Sequence, residues 1–248
     1  MTIAIRSIVA GAVLSGMLAV PAVAQTMSHE APTAGHHEPL TSLVLFDQLE
    51  YRVQDGANVI AWDGQAYYGG DYQRIWLKTQ GEYSAGHDEF EKAEVQLLYS
   101  RLVGYYWDVQ AGVRYDFEPD PSRAYGVIGL QGLAPGYFEV DTQAFVSEKG
   151  DLSARLEAEY DILVTQRLVL QPKAEMGLAL QDVPELGIGS GINDIELGLR
   201  LRYEITREFA PYIGISWERK LGETAQMARR EGEDVDIFAL VAGIRFWF

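Results

Sequence analysis

The chain has four histidines in 248 residues, and three of them, His29, His36 and His37, lie within nine residues of one another with Met27 just ahead. Neutral imidazole is a common ligand for borderline and soft metals, and a thioether adds a preference for Cu(I). The segment is therefore a candidate metal-capture stretch. A flexible leader with chance histidines fits the spacing slightly better, because no long repeated pattern supports the ligands. The fourth imidazole, His87, stands three residues after Ser84 in an expected loop and completes the candidate ligands. Cysteine is absent, which excludes disulfides and thiolate sites and leaves His, Met and carboxylate as the metal chemistry available.

Catalysis finds little in the sequence. A hydrolytic centre needs a nucleophile with a histidine base in reach, and only Ser84 and His87 lie close enough along the chain to suggest one. The run Gly187-Ile188-Gly189-Ser190-Gly191 lacks the lysine and the strand-to-helix context of a phosphate loop, and it is read as loop punctuation. Glu157 and Glu159 share a strand face, but Arg155 beside them makes ion pairing the default over acid–base work. The expectation is a protein that catalyses no reaction. A formal net charge of −16 argues against nucleic acid as a partner, since phosphate binding needs clustered Lys and Arg, and it leaves cations as partners.

The elements that must position these groups are strands. Residues 1–24 carry a lone Arg6, an apolar stretch from Ile8 to Val20 and Ala22-Val23-Ala24 before Gln25, the pattern of a secretory signal peptide and its cleavage site. Residues 25–41, with Pro32, Gly35 and Pro39, form a short His- and Met-containing leader too polar to bury a core. Residues 42–248 fall into about twelve alternating segments of roughly 9–11 residues, the length a tilted strand needs to cross a bilayer. Trp107, Val109, Ala111, Val113 and Tyr115, for example, oppose Asp108, Gln110, Gly112, Arg114 and Asp116. In the last segment Phe238, Leu240, Ala242, Ile244, Phe246 and Phe248 share one face, and Arg245 lies on the other.

A soluble β-sandwich also alternates, with its apolar face turned to a core. The constancy of the pattern, aromatic residues such as Trp62, Trp76, Tyr125 and Trp217 at expected strand ends, and a terminal Phe248 favour a barrel instead. The fold expected is an all-β, transmembrane, antiparallel up-and-down β-barrel of about twelve strands in a bacterial outer membrane, surrounded by lipid. The longest connections, near residues 181–191 and 219–235, fall on one side, and short turns near 69–71, 102–104 and 133–136 fall on the other. Short turns of such barrels face the periplasm, so both termini are expected there. Inward-facing Lys78, Glu82, Lys92, Glu94, Asp108, Arg114, Glu139, Asp141, Arg155, Glu157, Glu159, Lys173, Glu175, Glu196, Arg200, Arg202, Glu218 and Arg245 could pair across a narrow lumen or line a water-filled path.

The run Trp62 to Glu82, WDGQAYYGGDYQRIWLKTQGE, resembles the W-D-x-x-x-x-Y-G-G-D-x-x-R-x-W-L-K-x-x-G-E stretch of the copper resistance protein B family. Val95-Gln96-Leu97-Leu98-Tyr99-Ser100-Arg101 and Gly126-Val127-Ile128-Gly129-Leu130-Gln131-Gly132 are similar to further stretches of that family, and the resemblance covers Leu45 to Phe248. It implies an outer-membrane protein that binds periplasmic copper and sequesters or exports it. Copper ions, outer-membrane lipid and a periplasmic copper protein are the partners so implied. The family often carries a long Met- and His-rich region before its barrel. Here only Met27, His29, His36 and His37 stand in the leader, which implies few-site capture and not high-capacity storage. The rival reading is a general diffusion channel without a metal role.

Overall fold

The computed structural model describes residues 39–248, so the expected signal peptide and the leader residues Met27, His29, His36 and His37 lie outside the described residues. The strands are β1 (Thr41–Gln54), β2 (Val59–Gly69), β3 (Gln73–Ser84), β4 (Glu89–Gly104), β5 (Trp107–Glu118), β6 (Arg123–Ala134) and β7 (Phe138–Ser147). They continue with β8 (Leu152–Glu159), β9 (Ile162–Leu163), β10 (Leu168–Ala179), β11 (Gly191–Tyr203), β12 (Phe209–Lys220) and β13 (Asp236–Trp247). The two-residue β9 continues β8 after an interruption at Tyr160 and Asp161, and both pair with β10, so the barrel has twelve staves.

Each stave pairs antiparallel with its chain neighbours, and β13 closes on β1 with Leu45 opposite Trp247 and Gln54 opposite Ala239. Beyond β13, Phe248 exchanges backbone hydrogen bonds with Val44 at 2.9 and 3.0 Å, which ties the terminal aromatic into the seam. Closure leaves no row of unpaired backbone groups, the condition for placing strands in hydrocarbon.

The distribution of side chains is the reverse of a soluble sandwich. Leu97, Val113, Ile128, Leu199, Ile213 and Leu240 are exposed on the outside, while Glu50, Glu94, Gln96, Gln110, Arg200 and Arg202 are buried within. Apolar surface of this extent is stable only against lipid, and the alternation along each strand puts every second residue there. Among the described residues no helix is long and apolar enough to cross a membrane, a fact about helices that leaves the strands as the spanning elements.

The barrel has two distinct ends. One, here called the terminal mouth, gathers Pro39, Phe248 and the connections 70–72, 105–106, 135–137, 164–167 and 204–208. The far mouth carries connections 55–58, 85–88, 119–122, 148–151, 180–190 and 221–235. The turn expected near 102–104 lies at Tyr105 and Tyr106, because β4 runs on to Gly104 through a register shift after Leu102. The last far connection contains a helix, α1 (Gly222–Glu231), whose Ala225 and Ala228 are buried. Its Thr224 hydroxyl accepts the Gly189 N–H at 2.9 Å, and a Cβ on Gly189 would meet the Thr224 nitrogen at 2.7 Å, so the glycine-rich connection is pressed against the helix.

The lumen also has an apolar wall. Trp76, Leu98, Val127 and Phe145 form a buried cluster, with Tyr67 and Tyr125 against it. Trp76 and Tyr125 are therefore not part of the lipid-facing girdle expected of them. Trp76 shares its face with Arg74 and Lys78, and two-residue periodicity carries all three inward. Trp62 does face outward, at 6.1 Å from the Phe90 ring centre.

Candidate functional site

The family-like run Trp62 to Glu82 is the hairpin β2–β3, and its residues divide by face. Outside, Trp62 is directly opposite Gly81, where a Cβ would lie 2.1 Å from the indole, so the glycine gives the ring its place. At the turn, a Cβ on Gly69 would meet the Gln73 carbonyl oxygen at 2.2 Å, and Arg74 donates to the Gly70 carbonyl at 3.1 Å. Asp71, in this turn, is exposed. Inside, Asp63, Arg74, Trp76, Lys78 and Glu82 line the lumen, so the run supplies one wall of the bore.

From that wall, charged groups reach across. Arg155 on β8 donates to both carboxylate oxygens of Glu94 on β4 at 2.9 and 2.8 Å and to Gln80 Oε1 on β3 at 2.8 Å. Glu94 also accepts Arg114 Nη2 at 2.8 Å, and Arg114 is held by Asp116 at 2.6 Å. The Arg114 guanidinium lies 4.7 Å from the Phe145 ring centre and 5.2 Å from that of Tyr125, which makes the apolar wall a platform for cations. Toward the far mouth, Arg52 on β1 contacts Glu50 at 2.8 Å, Glu82 on β3 at 3.1 Å and Glu196 on β11 at 3.2 Å. Arg200 clamps Glu50 through Nε and Nη2, both at 2.9 Å, and Tyr212 donates to the same carboxylate at 3.0 Å. Toward the terminal mouth, Arg245 pairs with Asp47 at 2.6 Å.

Of the expected inward set, Lys78, Glu82, Glu94, Arg114, Asp141, Arg155, Glu157, Lys173, Glu175, Glu196, Arg200, Arg202 and Arg245 join ion pairs, many of them between staves that are not neighbours, whereas Lys92, Asp108, Glu139, Glu159 and Glu218 make none among the described residues. Charges taken out of water must be matched by partners, and the buried arginines here are matched. The bore is consequently crossed by side chains at several levels. Sequence reasoning did not select Asp47, Glu50, Arg52 and Asp63, nor the inward glutamines, as parts of this network. A register shift in β1 between Phe46 and Gln48 breaks the simple alternation that would have revealed Asp47, whereas Glu50 and Arg52 alternate regularly with Leu49, Tyr51 and Val53.

Below these crossings, toward the terminal mouth, lies a cavity of about 300 Å³. Asp63, Asp108, Glu139, Asp141, Glu157 and Glu159 give it an acidic lining, with Lys78, Arg74 and Arg155 as the cations present. Lys78 bridges Asp141 at 2.6 Å and Gln131 at 3.1 Å, and Lys173 reaches Glu157 at 3.0 Å and Asp63 at 3.6 Å.

His87 is at the far mouth, exposed in the β3–β4 connection, with Nδ1 3.2 Å from the Ser84 hydroxyl. Ser84 is fully buried, so this contact braces the connection and presents no nucleophile to a substrate. Among the described residues no three His, Asp or Glu side chains converge as metal ligands, and His87 stands as a single imidazole. Met176 alternates with the lumen-facing Glu175 and points outward, and Met227 lies on α1.

Comparison with known proteins agrees with this architecture. Residues 40–248 match the family described as "Copper resistance protein B precursor (CopB)". The chain is 49% identical over 213 residues to "Copper resistance protein B" of Escherichia coli, covering 86% of this chain and 71% of that protein. It is 43% identical over 213 residues to "Copper resistance protein B homolog" of Pseudomonas syringae pv. tomato, covering 86% and 72%. Among solved structures the NanC porin superposes with a TM-score of 0.52 at 13% identity, over 83% of this chain and 99% of that one, a likeness of fold alone. The signature hairpin, the charged lumen it lines and the match from residue 40 to the last strand converge: the chain belongs to the copper resistance protein B family.

Proposed function

We propose that this protein handles copper at the bacterial outer membrane by binding it in the periplasm and passing it into a charged barrel, without catalysing a reaction. In this reading residues 1–24 direct export and are removed, and residues 25–41 are a periplasmic leader with Met27, His29, His36 and His37 as copper ligands. These residues fit the metal in their donor atoms, imidazole nitrogen and thioether sulfur, which suit Cu(II) and Cu(I) respectively. The barrel occupies 42–248, lipid surrounds it, and both termini face the periplasm because the terminal mouth has the shorter connections. His87 is a separate, single-imidazole contact for copper at the far mouth. A periplasmic copper protein is the natural donor to the leader.

The observation that carries the reading beyond family membership is the crossing of the bore by ion pairs such as Arg155 with Glu94 and Arg52 with Glu196. A general diffusion channel keeps an open aqueous path, whereas fixed charges of both signs at close range favour small ions. Copper titration of the folded, mature protein tests the leader's part. The combined variant His29→Ala, His36→Ala, His37→Ala should lower the affinity at least about tenfold, as loss of most of a ligand set does. An unchanged affinity removes the leader from the account.

A further inference from the structure

The strand register places acids opposite acids. Asp141 on β7 pairs with Glu157 on β8, Glu157 with Glu175 on β10, Glu175 with Glu196 on β11, and Glu196 with Glu218 on β12. On the other side the row continues from Asp141 through Gln131 to Asp108. Like charges directly opposite on neighbouring strands destabilise a sheet, and the lumen elsewhere uses uncharged Gln96, Gln110 and Gln143 at comparable inward positions. A row of paired residues runs perpendicular to the strands, and the strands of a barrel are tilted by about 35–45°, so the row climbs the wall. Asp141 lies near the terminal-mouth start of β7, and Glu218 lies near the far-mouth end of β12. The carboxylates therefore form a staircase from one mouth to the other.

Its lower end opens into the acidic cavity, where a second, separate feature points to an occupant. Gln96 is 3% exposed, lines this cavity from β4, and has an Oε1 without a hydrogen-bond partner; the Asp141 Oδ1 is also without one. Trp76, 8% exposed on the same lining, has an Nε1 without an acceptor. Unmatched acceptors and an unmatched donor around one acidic space suit a hydrated cation, whose water can donate to the oxygens and accept from the indole.

We infer that this staircase is a path for hydrated divalent cations that does not itself select copper. The inference rests on the copper-handling reading only for the identity of the natural cargo. Each middle step already holds a tethered counter-ion: Lys78 on Asp141, Lys173 on Glu157, Arg155 on Glu175 and Arg52 on Glu196. A passing ion competes with that partner at every step, which keeps binding favourable enough to admit it and weak enough to release it. The inward positions of the described strands offer oxygen ligands without imidazole, thioether or thiolate, so copper passes here as hydrated Cu(II), and its advantage over Mn(II) is smaller than at a nitrogen or sulfur site. Selection for copper belongs to the leader.

The test uses the folded, mature protein in phospholipid vesicles loaded with calcein, whose fluorescence is quenched by both Cu(II) and Mn(II) added outside. The two ions should enter at rates within about threefold of each other, since both pass as hydrated ions of the same charge. The combined variant Glu157→Gln, Glu175→Gln, Glu196→Gln should slow both at least about tenfold, and Glu218→Gln, whose carboxylate makes no ion pair among the described residues, should slow both by about threefold while folding normally. Influx no faster than in protein-free vesicles, influx indifferent to Glu218→Gln, or influx of copper alone would each overturn the inference. A failure of the leader reading shows separately, as unaltered copper affinity in a protein that still passes Mn(II).

Discussion

Glu94 is where ion pairing closes the bore most completely, and Glu94→Gln is the sharpest perturbation of it. The side chain is 1% exposed and accepts from Arg114 at 2.8 Å, from Arg155 at 2.8 and 2.9 Å, and from Gln96 at 2.9 Å. Glutamine keeps the shape and one acceptor, but it turns the other oxygen into a donor aimed at a guanidinium. Removing one member of a buried ion pair costs about 3–5 kcal/mol. Here Arg114 retains Asp116 at 2.6 Å and Arg155 retains Glu175 at 3.2 Å. The expected loss is therefore smaller, about 2–3 kcal/mol. Adding Arg155→Gln should recover none of it, since Arg155 is the one ion-pair partner of Glu175 among the described residues and its loss strands that carboxylate. Urea unfolding in phospholipid vesicles, followed by tryptophan fluorescence and heat-modifiable electrophoretic mobility, measures both quantities. In planar bilayers the single variant should also conduct more than the parent. An unfolding midpoint and a conductance both equal to the parent's would refute the hub role of Glu94.

Three further outcomes follow from local geometry. Gly81→Ala drives a methyl to 2.1 Å from the Trp62 ring and 2.7 Å from the Lys92 carbonyl, so stability should fall by about 1–3 kcal/mol in the same urea assay. At the far mouth Arg123 donates to Asp151 at 2.7 Å and Glu185 at 3.0 Å, and the hydrogen bond from Lys149 holds the Glu185 carboxyl below its ordinary range. A lowered value means the tether is intact above the ordinary glutamate range and lost as pH falls through the lowered value, so acid-stable protease should begin to cut connection 180–190 only on acidification past that range. Ser84→Ala should leave copper affinity unchanged by titration, because the buried hydroxyl serves only the His87 contact.

The wall of the barrel was legible because lipid outside and ions inside impose a strict two-residue period on strands such as β5 and β13. Connection lengths separated the two mouths for the same reason, the chain being free to lengthen on one side. The interior was harder to read. Trp76 and Tyr125 look like girdle residues in sequence, and only strand parity beside Arg74, Lys78 and Arg123 sends them inward. Asp47 was hidden by the register shift of β1, which displaces one residue from the alternation, while Glu50 and Arg52 lie in its regular part. Helix α1 was missed because its apolar contacts are few and small, Ala225 and Ala228, and it depends on Gly189 and Thr224 from two connections meeting. The acid staircase was not visible at all, since register between strands is a property of the folded sheet. Three histidines, by contrast, can be read in sequence without any fold, and they lie outside the described residues.

The central claim is that copper is held on the leader and only passes through the barrel. Anomalous scattering at the copper edge, from crystals of the mature protein soaked in copper, tests it most directly. Copper density is expected on the imidazoles of His29, His36 and His37, stronger than any in the acidic cavity of the lumen. Ordered copper in the lumen with the leader imidazoles bare would contradict it.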